Sequence, residues 1–429
     1  MDRKQKVTPY ILKSRTGING SITLPGSKSI TNRVILLSSL SNKQTLIRNY
    51  LQSDDTHFML EALEKLGVVI EKKGSEIMVH GTNGSFPNKY CELFLGNAGT
   101  AFRPLTAALS MMEGHYKLTG VDRMHERPIK DLVDALKQLG ARINYLKNDG
   151  FPPLEILPIT KKSINKISIK GNVSSQFLTS ILMSAPLLNQ PLSINLDGEL
   201  ISKPYINITL KLLEKFGVTF NNKNWSEFDL KAISPYRSPD EIWVEGDASS
   251  ASYFFGAAAI AGKIEVHGIN KDSIQGDLSF LDVISNMGAK VTYKDKSIVV
   301  EKANALRGLE VDCKMIPDAA MTLATMALFC IGTTKLINIA SWKVKETDRI
   351  EAMSNELKKL GAVVHSTNNS ISITPPPKIN NNIAINTYDD HRMAMCFSLV
   401  SLSQQNIIIN NPECVNKTYP NFFKDFESV

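Results

Sequence analysis

Residues 62–70 read Ala-Leu-Glu-Lys-Leu-Gly-Val-Val-Ile, a helix-like stretch that ends in Leu-Gly and runs into a short apolar strand. Glycine commonly ends helices because it adopts the left-handed conformation without the steric cost of a Cβ atom. Each copy of this pattern is followed by a polar turn and a second strand-like run, which predicts a hairpin after the helix. Four further copies occupy residues 135–143 (ALKQLGARI), 212–220 (LLEKFGVTF), 283–291 (VISNMGAKV) and 356–364 (ELKKLGAVV).

A second type of helix, rich in small residues, recurs out of phase with the first. Its copies begin near Ser29, Gly99, Ser175, Ser249, Ala320 and Arg392. Both markers repeat about every 73 residues, so a chain of 429 residues holds about six units of strand, helix, strand, helix and hairpin. We therefore expect an α/β fold with two similar domains, each made of three repeated βαβαββ units.

Only the sixth unit lacks a hairpin, because the helix-like stretch 419–426 is followed by no further strand pattern. The strand-like residues 10–12 and 21–23 near the chain start belong to no unit, so we expect them to complete the last one. The predicted domains are 27–244 and 1–26 plus 245–429. Two chain crossings between domains favour an active-site cleft between them that opens and closes around a ligand.

Composition excludes several classes of protein. A hydrophobic content of 43% suits a soluble globular protein, and the net charge of +7 is spread without a basic run. No apolar run reaches the ~20 residues of a membrane span, and the five cysteines are scattered, with neither zinc-site nor disulfide-framework spacing. We expect a cytoplasmic protein without bound metal, five cysteines in the core, and neither nucleic acid nor membrane as a partner.

Residues 24–33, Leu-Pro-Gly-Ser-Lys-Ser-Ile-Thr-Asn-Arg, place two cations and several hydroxyls on a turn that opens an apolar helix. Ser27 can cap this helix, and the free N–H groups of its first turn suit an anion. The spacing is not that of a P-loop. A capped surface helix with solvated Lys28 and Arg33 is the alternative interpretation of this stretch alone.

Unusual polar residues recur at the other predicted helix starts, and nine members of the whole set are Lys or Arg. Nine cations in one cleft would repel each other without anions, so we expect a small polyanionic substrate. The set comprises Lys28, Ser29, Arg33, Asn97, Gly99, Thr100, Arg103, Arg127, Ser174, Ser175, Gln176, Ser202, Lys203, Tyr205, Asp247, Asp318, Lys345, Glu346, Arg349, Asp390, His391, Arg392 and Lys417.

Two acids in this set are candidates for proton transfer, namely Asp318 and Glu346. Asp318 has an equally simple interpretation as a helix N-cap, because Asp247 and Asp390 occupy equivalent positions in neighbouring repeats. Glu346 could be only a first-turn acid paired with a nearby cation. His391 could transfer protons or could be an orienting or structural histidine.

Ten motifs together resemble the EPSP synthase (3-phosphoshikimate 1-carboxyvinyltransferase) family over nearly the whole chain. They are LPGSKSITNR, GNAGTAFRPL, RMHERPI, NVSSQFLTSILMSAPL, LISKPYI, VEGDASSASYF, IPDAAMT, VKETDRI, DDHRMAM and KTYPNFF. The resemblance implies transfer of the enolpyruvyl group of phosphoenolpyruvate to the 5-hydroxyl of shikimate 3-phosphate, on the route to chorismate and aromatic amino acids. It also implies a monomer that needs no metal or organic cofactor.

The same resemblance implies roles for individual residues. Asp318 would accept the hydroxyl proton, and Glu346 or Lys28 would protonate phosphoenolpyruvate. The implied shikimate 3-phosphate ligands are Lys28, Ser29, Arg33, Ser174, Ser175, Gln176, Ser202, Tyr205, Asp318, Ser341 and Lys345. The implied phosphoenolpyruvate ligands are Lys28, Gly99, Arg127, Gln176, Arg349, Arg392 and Lys417.

Two positions have specific consequences within this resemblance. Ser341 stands where the family usually has Asn, so a hydrogen bond from that side chain would be shorter in reach, water-mediated or lost. Gly99, rather than alanine, implies sensitivity to glyphosate in the phosphoenolpyruvate pocket.

Two rival functions remain. The related enolpyruvyl transferase that acts on a UDP-linked aminosugar carries a cysteine on a mobile loop, and the corresponding residues 120–127 contain none. A non-catalytic repeat protein, or a relative that processes RNA ends, could bind phosphorylated ligands without this transfer.

Overall fold

The computed structural model describes residues 8–160, 164–231 and 235–429. The chain forms two compact units, one of Gly26–Glu245 and one of the residues up to Pro25 with Gly246–Val429. Each boundary differs by one residue from the boundary expected from the sequence. Among the described residues, none of the helices has the length and apolar character that a membrane crossing requires.

The unit Gly26–Glu245 contains three four-stranded sheets. The first sheet has the strand order β14 (Glu241–Trp243), β3 (Thr45–Arg48), β5 (Glu76–Val79) and β4 (Ile70–Lys73). The second has the order β6 (Tyr90–Phe94), β7 (His115–Thr119), β9 (Leu154–Leu157) and β8 (Arg142–Tyr145). The third has the order β10 (Lys166–Lys170), β11 (Leu192–Asp197), β13 (Glu227–Leu230) and β12 (Asn221–Lys223). The helices are α1 (Lys28–Leu40), α2 (Asp54–Lys65), α3 (Gly99–Ser110), α4 (Asp122–His125), α5 (Lys130–Gln138), α6 (Ser175–Ser184) and α7 (Lys203–Lys215).

The other unit contains two four-stranded sheets, a three-stranded sheet and a short strand pair. The two four-stranded sheets have the orders β2 (Ile18–Thr23), β15 (Gly262–His267), β17 (Ser297–Glu301), β16 (Lys290–Tyr293) and β19 (Glu310–Asp312), β21 (Thr334–Ile337), β23 (Ser370–Thr374), β22 (Val363–Ser366). The three-stranded sheet has the order β1 (Tyr10–Leu12), β25 (Ile407–Ile409) and β24 (Ile383–Ile385). The short pair is β18 (Leu306–Arg307) with β20 (Cys330–Ile331). The helices are α8 (Ala248–Ala261), α9 (Phe280–Asn286), α10 (Ala320–Met326), α11 (Arg349–Lys359), α12 (His391–Phe397) and α13 (Phe422–Ser428).

All five four-stranded sheets share one strand order. The first two strands are parallel, and an antiparallel hairpin follows, with its second strand beside the parallel pair. A helix separates the parallel strands in a repeat such as β6–α3–β7, as parallel pairing requires a crossover. The βαβαββ unit predicted from the sequence is therefore confirmed as the building block of the α/β fold.

The strands at the chain start join two different sheets. Strand β1 pairs antiparallel with β25, where the other sheets have the second hairpin strand. Strand β2 instead pairs in parallel with β15 in the fourth unit, so the sequence-based assignment of both strands to the last unit was wrong for β2. The physical reason is that β14 pairs with β3, which leaves the parallel edge of β15 for β2.

The five repeat glycines have the backbone conformation that the pattern predicted. All lie two residues beyond the ends of α2, α5, α7, α9 and α11, where a residue with a Cβ atom would be strained. Their φ angles are 92° at Gly67, 98° at Gly140, 77° at Gly217, 116° at Gly288 and 96° at Gly361.

The small-residue helices begin within one residue of their predicted positions and form the buried centre of each unit. Helix α3 packs against α1 and α6, and helix α10 packs against α8 and α12. Small side chains allow this close approach. Four cysteines are buried as expected, but Cys91 is only half-buried because β6 is an edge strand.

Candidate active site

Lys28 begins helix α1 and is nearly buried. Its Nζ atom lies 3.3 Å from Oδ2 of Asp55 at the start of α2. Ser27 occupies the N-cap position, but its side chain makes no capping hydrogen bond, in contrast to the expectation from the sequence. One turn later, Nδ2 of Asn32 donates to Oγ1 of Thr100 at 2.7 Å, which joins the starts of α1 and α3.

Arg33 is buried among neutral oxygen atoms. Its guanidinium donates to Oγ1 of Thr209 at 2.9 Å, to the carbonyl of Ser29 at 2.7 Å and to Oγ1 of Thr179 at 3.3 Å. Burial lowers the pKa of Arg33 to about 10. A buried cation surrounded by neutral acceptors would be stabilised by an anionic ligand.

Gly99 lies at the start of α3, beside three polar side chains. A Cβ atom on Gly99 would come within 2.5 Å of Nη1 of Arg103, 2.9 Å of Nη2 of Arg127 and 3.0 Å of Oε1 of Gln176. Arg127 donates to the side chain of Asn97 at 2.9 Å. Two arginines, an amide and a bare backbone thus meet at one helix start, which is a suitable arrangement for an anion.

Helix α6 brings three predicted residues to this group. Ser174 is its N-cap and accepts from the backbone N–H of Gln176 at 3.2 Å, and Ser175 is the first helical residue. Ser202 precedes α7 in a left-handed conformation, with φ of 52°. The carbonyl of Tyr205, in the first turn of α7, lies 3.5 Å from the Arg33 guanidinium.

In the other unit, Arg349 joins three carboxylates. It donates to Oδ1 of Asp318 at 2.9 Å and to Oε2 of Glu346 at 2.9 Å, and Asp390 accepts two bonds at 2.7 and 3.3 Å. Its side chain is 1% exposed. Burial alone would lower the pKa of Arg349, but the three carboxylates outweigh burial and raise it above its usual value.

Asp318 is also bound by further cations. Its Oδ2 accepts from Arg392 at 3.0 Å, and Nζ of Lys345 lies 3.7 Å from its Oδ1. Arg392 also donates to the hydroxyl of Tyr253 at 3.1 Å. Asp318 is therefore a carboxylate held between two buried arginines.

The three aspartates in equivalent repeat positions have different roles. Asp247 caps α8 by accepting from the N–H of Ser250 at 2.8 Å. Asp390 caps α12 through the N–H of Arg392 and binds Arg349 as well. The N-cap position of α10 is held by Ala319, and the carboxylate of Asp318 faces arginines.

Three predicted residues lie at the margins of this cluster. Ser341 is half-buried in a 3-10 helix, Ala340–Val344, which is fixed because the indole of Trp342 donates to the carbonyl of Pro317 at 2.8 Å. His391 is buried, with Nδ1 3.6 Å from Oδ1 of Asp390. Lys417 ends the 3-10 helix Pro412–Lys417 and is 9% exposed.

Sequence reasoning missed several partners of these side chains. It did not identify Asp55 as the partner of Lys28, and it treated Asp390 only as a possible cap. It also missed Asp277, a buried carboxylate that accepts from the hydroxyl of Ser249. Burial, together with the nearby charge of Asp318, raises the pKa of Asp277 to about 7, although the Ser249 bond acts in the opposite direction. No pattern marks such pairs, because their members are far apart in the chain.

The two clusters offer complementary chemistry. The cluster around Arg33 and Gly99 supplies cations, hydroxyls and helix N-termini that suit phosphate and carboxylate groups. The cluster around Asp318 supplies a carboxylate that can accept a proton while neighbouring cations stabilise charge. The first cluster is therefore suited to binding anions and the second to accepting a proton.

Comparison with known proteins agrees with this chemistry. The family model for EPSP synthase (3-phosphoshikimate 1-carboxyvinyltransferase) matches residues 12–426. The 3-phosphoshikimate 1-carboxyvinyltransferase of Cupriavidus necator is 54% identical over 423 residues, covering 96% of this chain and 98% of that protein. The enzyme of the same name from Nitrosomonas europaea is 54% identical over 415 residues, covering 96% of each.

Solved structures give the same result. An EPSP synthase from Acinetobacter baumannii matches with a TM-score of 0.82 at 25% identity and covers 98% of both chains. The enolpyruvyl transferase NikO from Streptomyces tendae, at 14% identity and a TM-score of 0.76, shares the fold over 97% of this chain and 96% of its own. The chain belongs to the EPSP synthase (3-phosphoshikimate 1-carboxyvinyltransferase) family.

Proposed function

We propose that this chain transfers the enolpyruvyl group of phosphoenolpyruvate to the 5-hydroxyl of shikimate 3-phosphate, releasing phosphate. The observation that carries the proposal is the buried Asp318 carboxylate between Arg349 and Arg392, because this reaction needs a base beside clamped anions. The membership of the family supports the identity of the two substrates.

The two substrates divide the polar residues between them. We assign shikimate 3-phosphate to Lys28, Ser29, Arg33, Ser174, Ser175, Gln176, Ser202, Tyr205, Asp318, Ser341 and Lys345. We assign phosphoenolpyruvate to Lys28, Gly99, Arg127, Gln176, Arg349, Arg392 and Lys417. The neutral surroundings of Arg33 support its pairing with a phosphate, and the crowding at Gly99 supports the close approach of a small anion.

The proposed reaction has an addition step and an elimination step, and two protons are transferred in each. A proton is added to C3 of phosphoenolpyruvate, the 5-hydroxyl oxygen bonds to C2, and Asp318 takes the hydroxyl proton. The tetrahedral intermediate then loses phosphate, which leaves with a proton, while C3 returns its proton to re-form the enol ether. The arginines stabilise the charge that develops on the phosphate and carboxylate.

The acid that protonates C3 is Glu346 or Lys28. Glu346 accepts a hydrogen bond from Arg349 at 2.9 Å, and it must carry a proton to act as the acid. It can act as an acid once Arg349 turns toward a ligand anion. Lys28 carries an ammonium proton that it can donate, and its Nζ lies 3.3 Å from Oδ2 of Asp55.

Ser341 replaces the amide usual in the family. The bond from Trp342 to Pro317 holds the Ser341 segment next to the chain that carries Asp318. We assign Ser341 to the shikimate ring through a shorter or water-mediated hydrogen bond. Ser341→Asn should then lower the KM for shikimate 3-phosphate and leave the KM for phosphoenolpyruvate unchanged.

Phosphate release from phosphoenolpyruvate tests the proposed function directly. We expect release only when shikimate 3-phosphate is present, and a loss of about 100-fold or more in kcat for Asp318→Asn. Release that depends on a UDP-linked aminosugar would indicate the related transferase. No release with either acceptor would favour a non-catalytic ligand-binding protein.

We also propose that the enzyme works as a monomer in the cytoplasm on these two small molecules, without nucleic-acid or membrane partners. The mild charge excess without a basic run supports a small acidic substrate over nucleic acid. Light scattering after size-exclusion chromatography tests the monomeric state.

A further inference from the structure

Helix α11 carries a buried carboxylate, Glu356, seven residues after Arg349. It is 0% exposed. Its Oε1 accepts from the hydroxyl of Tyr388 at 2.8 Å, and its Oε2 accepts from the backbone N–H of Asn386 at 3.1 Å. Nζ of Lys359 donates to the same two oxygens at 2.8 and 2.6 Å. Two of these partners lie on the segment that leads into Asp390.

That segment contains two consecutive residues in a conformation that side chains disfavour. Tyr388 has a φ of 54° and Asp389 a φ of 55°, and neither is glycine. Left-handed residues of this kind persist only where surrounding contacts hold them. Here the next residue is Asp390, which binds Arg349, and Arg392 follows in the first turn of α12.

The same helix therefore holds this segment at two points. Near the start of α11, Arg349 binds Asp390, and about two turns later Glu356 binds Asn386 and Tyr388. A helix is stiff, so these two attachments fix the length and direction of the turn between them. Without the second attachment, the turn could relax and carry Asp390 and Arg392 away from Asp318.

We propose that Glu356 is a positioning residue: by holding Tyr388 and Asp389 in the left-handed conformation, it sets the place of Arg392 for phosphoenolpyruvate. This inference rests on the proposed function, because the assignment of Arg392 to phosphoenolpyruvate does. Glu356 is not among the residues assigned to either substrate.

The first measurement is steady-state kinetics of the full-length Glu356→Gln variant. A glutamine keeps one acceptor oxygen but cannot accept from Asn386, Tyr388 and Lys359 together. We expect the KM for phosphoenolpyruvate to rise about tenfold or more, since small misplacements of clamping groups have large effects. The KM for shikimate 3-phosphate should change less. Lys358→Gln, at an exposed position of the same helix, is the control and should behave as the wild type.

The second measurement is rescue by glycine. Asp389→Gly removes the side-chain strain at one left-handed position, so the turn needs less support from Glu356. In the Glu356→Gln background it should restore much of the affinity for phosphoenolpyruvate. Alone, Asp389→Gly should leave the KM near that of the wild type. A structural role of Glu356 in overall folding would show no such selective rescue.

Amide hydrogen exchange of residues 386–392 separates this inference from the proposed function. Faster exchange in Glu356→Gln, slowed again by Asp389→Gly, is the expected result. Unchanged exchange and an unchanged KM in Glu356→Gln would overturn the inference. If Arg392→Lys leaves the KM for phosphoenolpyruvate unaltered, the assignment of Arg392 fails instead, whatever the exchange of the turn shows.

Discussion

At the scale of single residues, buried charges in this protein differ in how completely they are balanced. Arg349 meets three carboxylates, whereas Arg33 meets only neutral oxygens within the described part of the chain. Asp277 is buried, and within the described part of the chain one of its oxygens accepts from the hydroxyl of Ser249 while the other has no hydrogen bond. Incomplete compensation is costly for folding, so its presence at these positions points to groups that respond to ligands or to pH.

Gly99→Ala should weaken glyphosate more than phosphoenolpyruvate. The added Cβ atom would lie 2.5 Å from Arg103 and 2.9 Å from Arg127, so both guanidinium groups must shift. The longer inhibitor has less freedom to adjust to that shift than the smaller substrate. We expect wild-type inhibition to be competitive with phosphoenolpyruvate, and the inhibition constant of the variant to rise more than its KM. Equal inhibition of variant and wild type would contradict the placement of Gly99 in the pocket.

Asp277→Asn should change how stability depends on pH. The folded-state pKa of Asp277, about 7, is raised above the value of about 4 for an unfolded carboxyl group. The native state therefore holds this proton more tightly, and its stability falls as pH rises from about 4 to 7 and stays reduced above that range. Asparagine cannot ionise, so the free energy of unfolding of the variant should not fall in this way. Relative to the wild type it should increase across this pH range, by roughly 4 kcal/mol at most.

Urea unfolding at several pH values between about 4 and 8 measures this difference. Asp282→Asn, an exposed position in the adjoining helix α9, is the control and should follow the wild type. A stability gap between Asp277→Asn and the wild type that does not vary with pH would show that Asp277 is ionised throughout.

At the scale of secondary-structure elements, the start of each small-residue helix combines capping with site chemistry. The repeats place Asp at or near the starts of α8, α10 and α12. Asp247 caps the backbone of α8, and Asp318 beside α10 binds arginines. Asp390 at the start of α12 does both. The repeat therefore fixes where an acid stands but not what the acid does.

Asp247→Asn and Asp390→Asn should differ in their effect on stability. Asparagine is a good N-cap, so Asp247→Asn should cost less than about 1 kcal/mol. Asp390→Asn removes one charge from the buried pair with Arg349, and we expect a loss of roughly 3 kcal/mol. Thermal and urea unfolding of both variants provide the comparison. Similar small losses in the two variants would mean that Asp390 acts only as a cap.

At the scale of the whole molecule, the two units differ in how the chain builds them. The unit Gly26–Glu245 is one continuous segment that contains every strand of its three sheets. The other unit takes β1 and β2 from the chain start and the remainder from Gly246–Val429. Residues Leu12 and Ile18 from that start are core residues, each 1% exposed.

A fragment of residues 26–245 should therefore fold alone and unfold cooperatively on heating. A fragment of residues 246–429 should not, because β15 and β25 would expose unpaired edges and lose core contacts. Adding a peptide of residues 8–25 should restore its near-ultraviolet circular dichroism. Cooperative unfolding of the 246–429 fragment without the peptide would contradict this expectation.

The sequence alone determined the repeated unit and the helix starts, because both depend on local chemistry. Glycine at the five helix ends and small residues in the second helix are readable from neighbours along the chain, and the structure has them within a residue of their predicted positions. The repeats and ten motifs were also sufficient to identify the family and to nominate every residue of the proposed site.

Only the tertiary structure decided how distant residues pair. Strand β14 pairs with β3, and β2 from the chain start pairs with β15. This choice depends on which strand edge is left open, and no local sequence pattern indicates it. The same holds for side chains: Asp318, Arg349 and Asp390 lie up to 72 positions apart along the chain, counting from 318 to 390, yet share hydrogen bonds. Capping and ion pairing use the same residue types, so only three-dimensional contacts separate a carboxylate that ends a helix from one that faces two arginines.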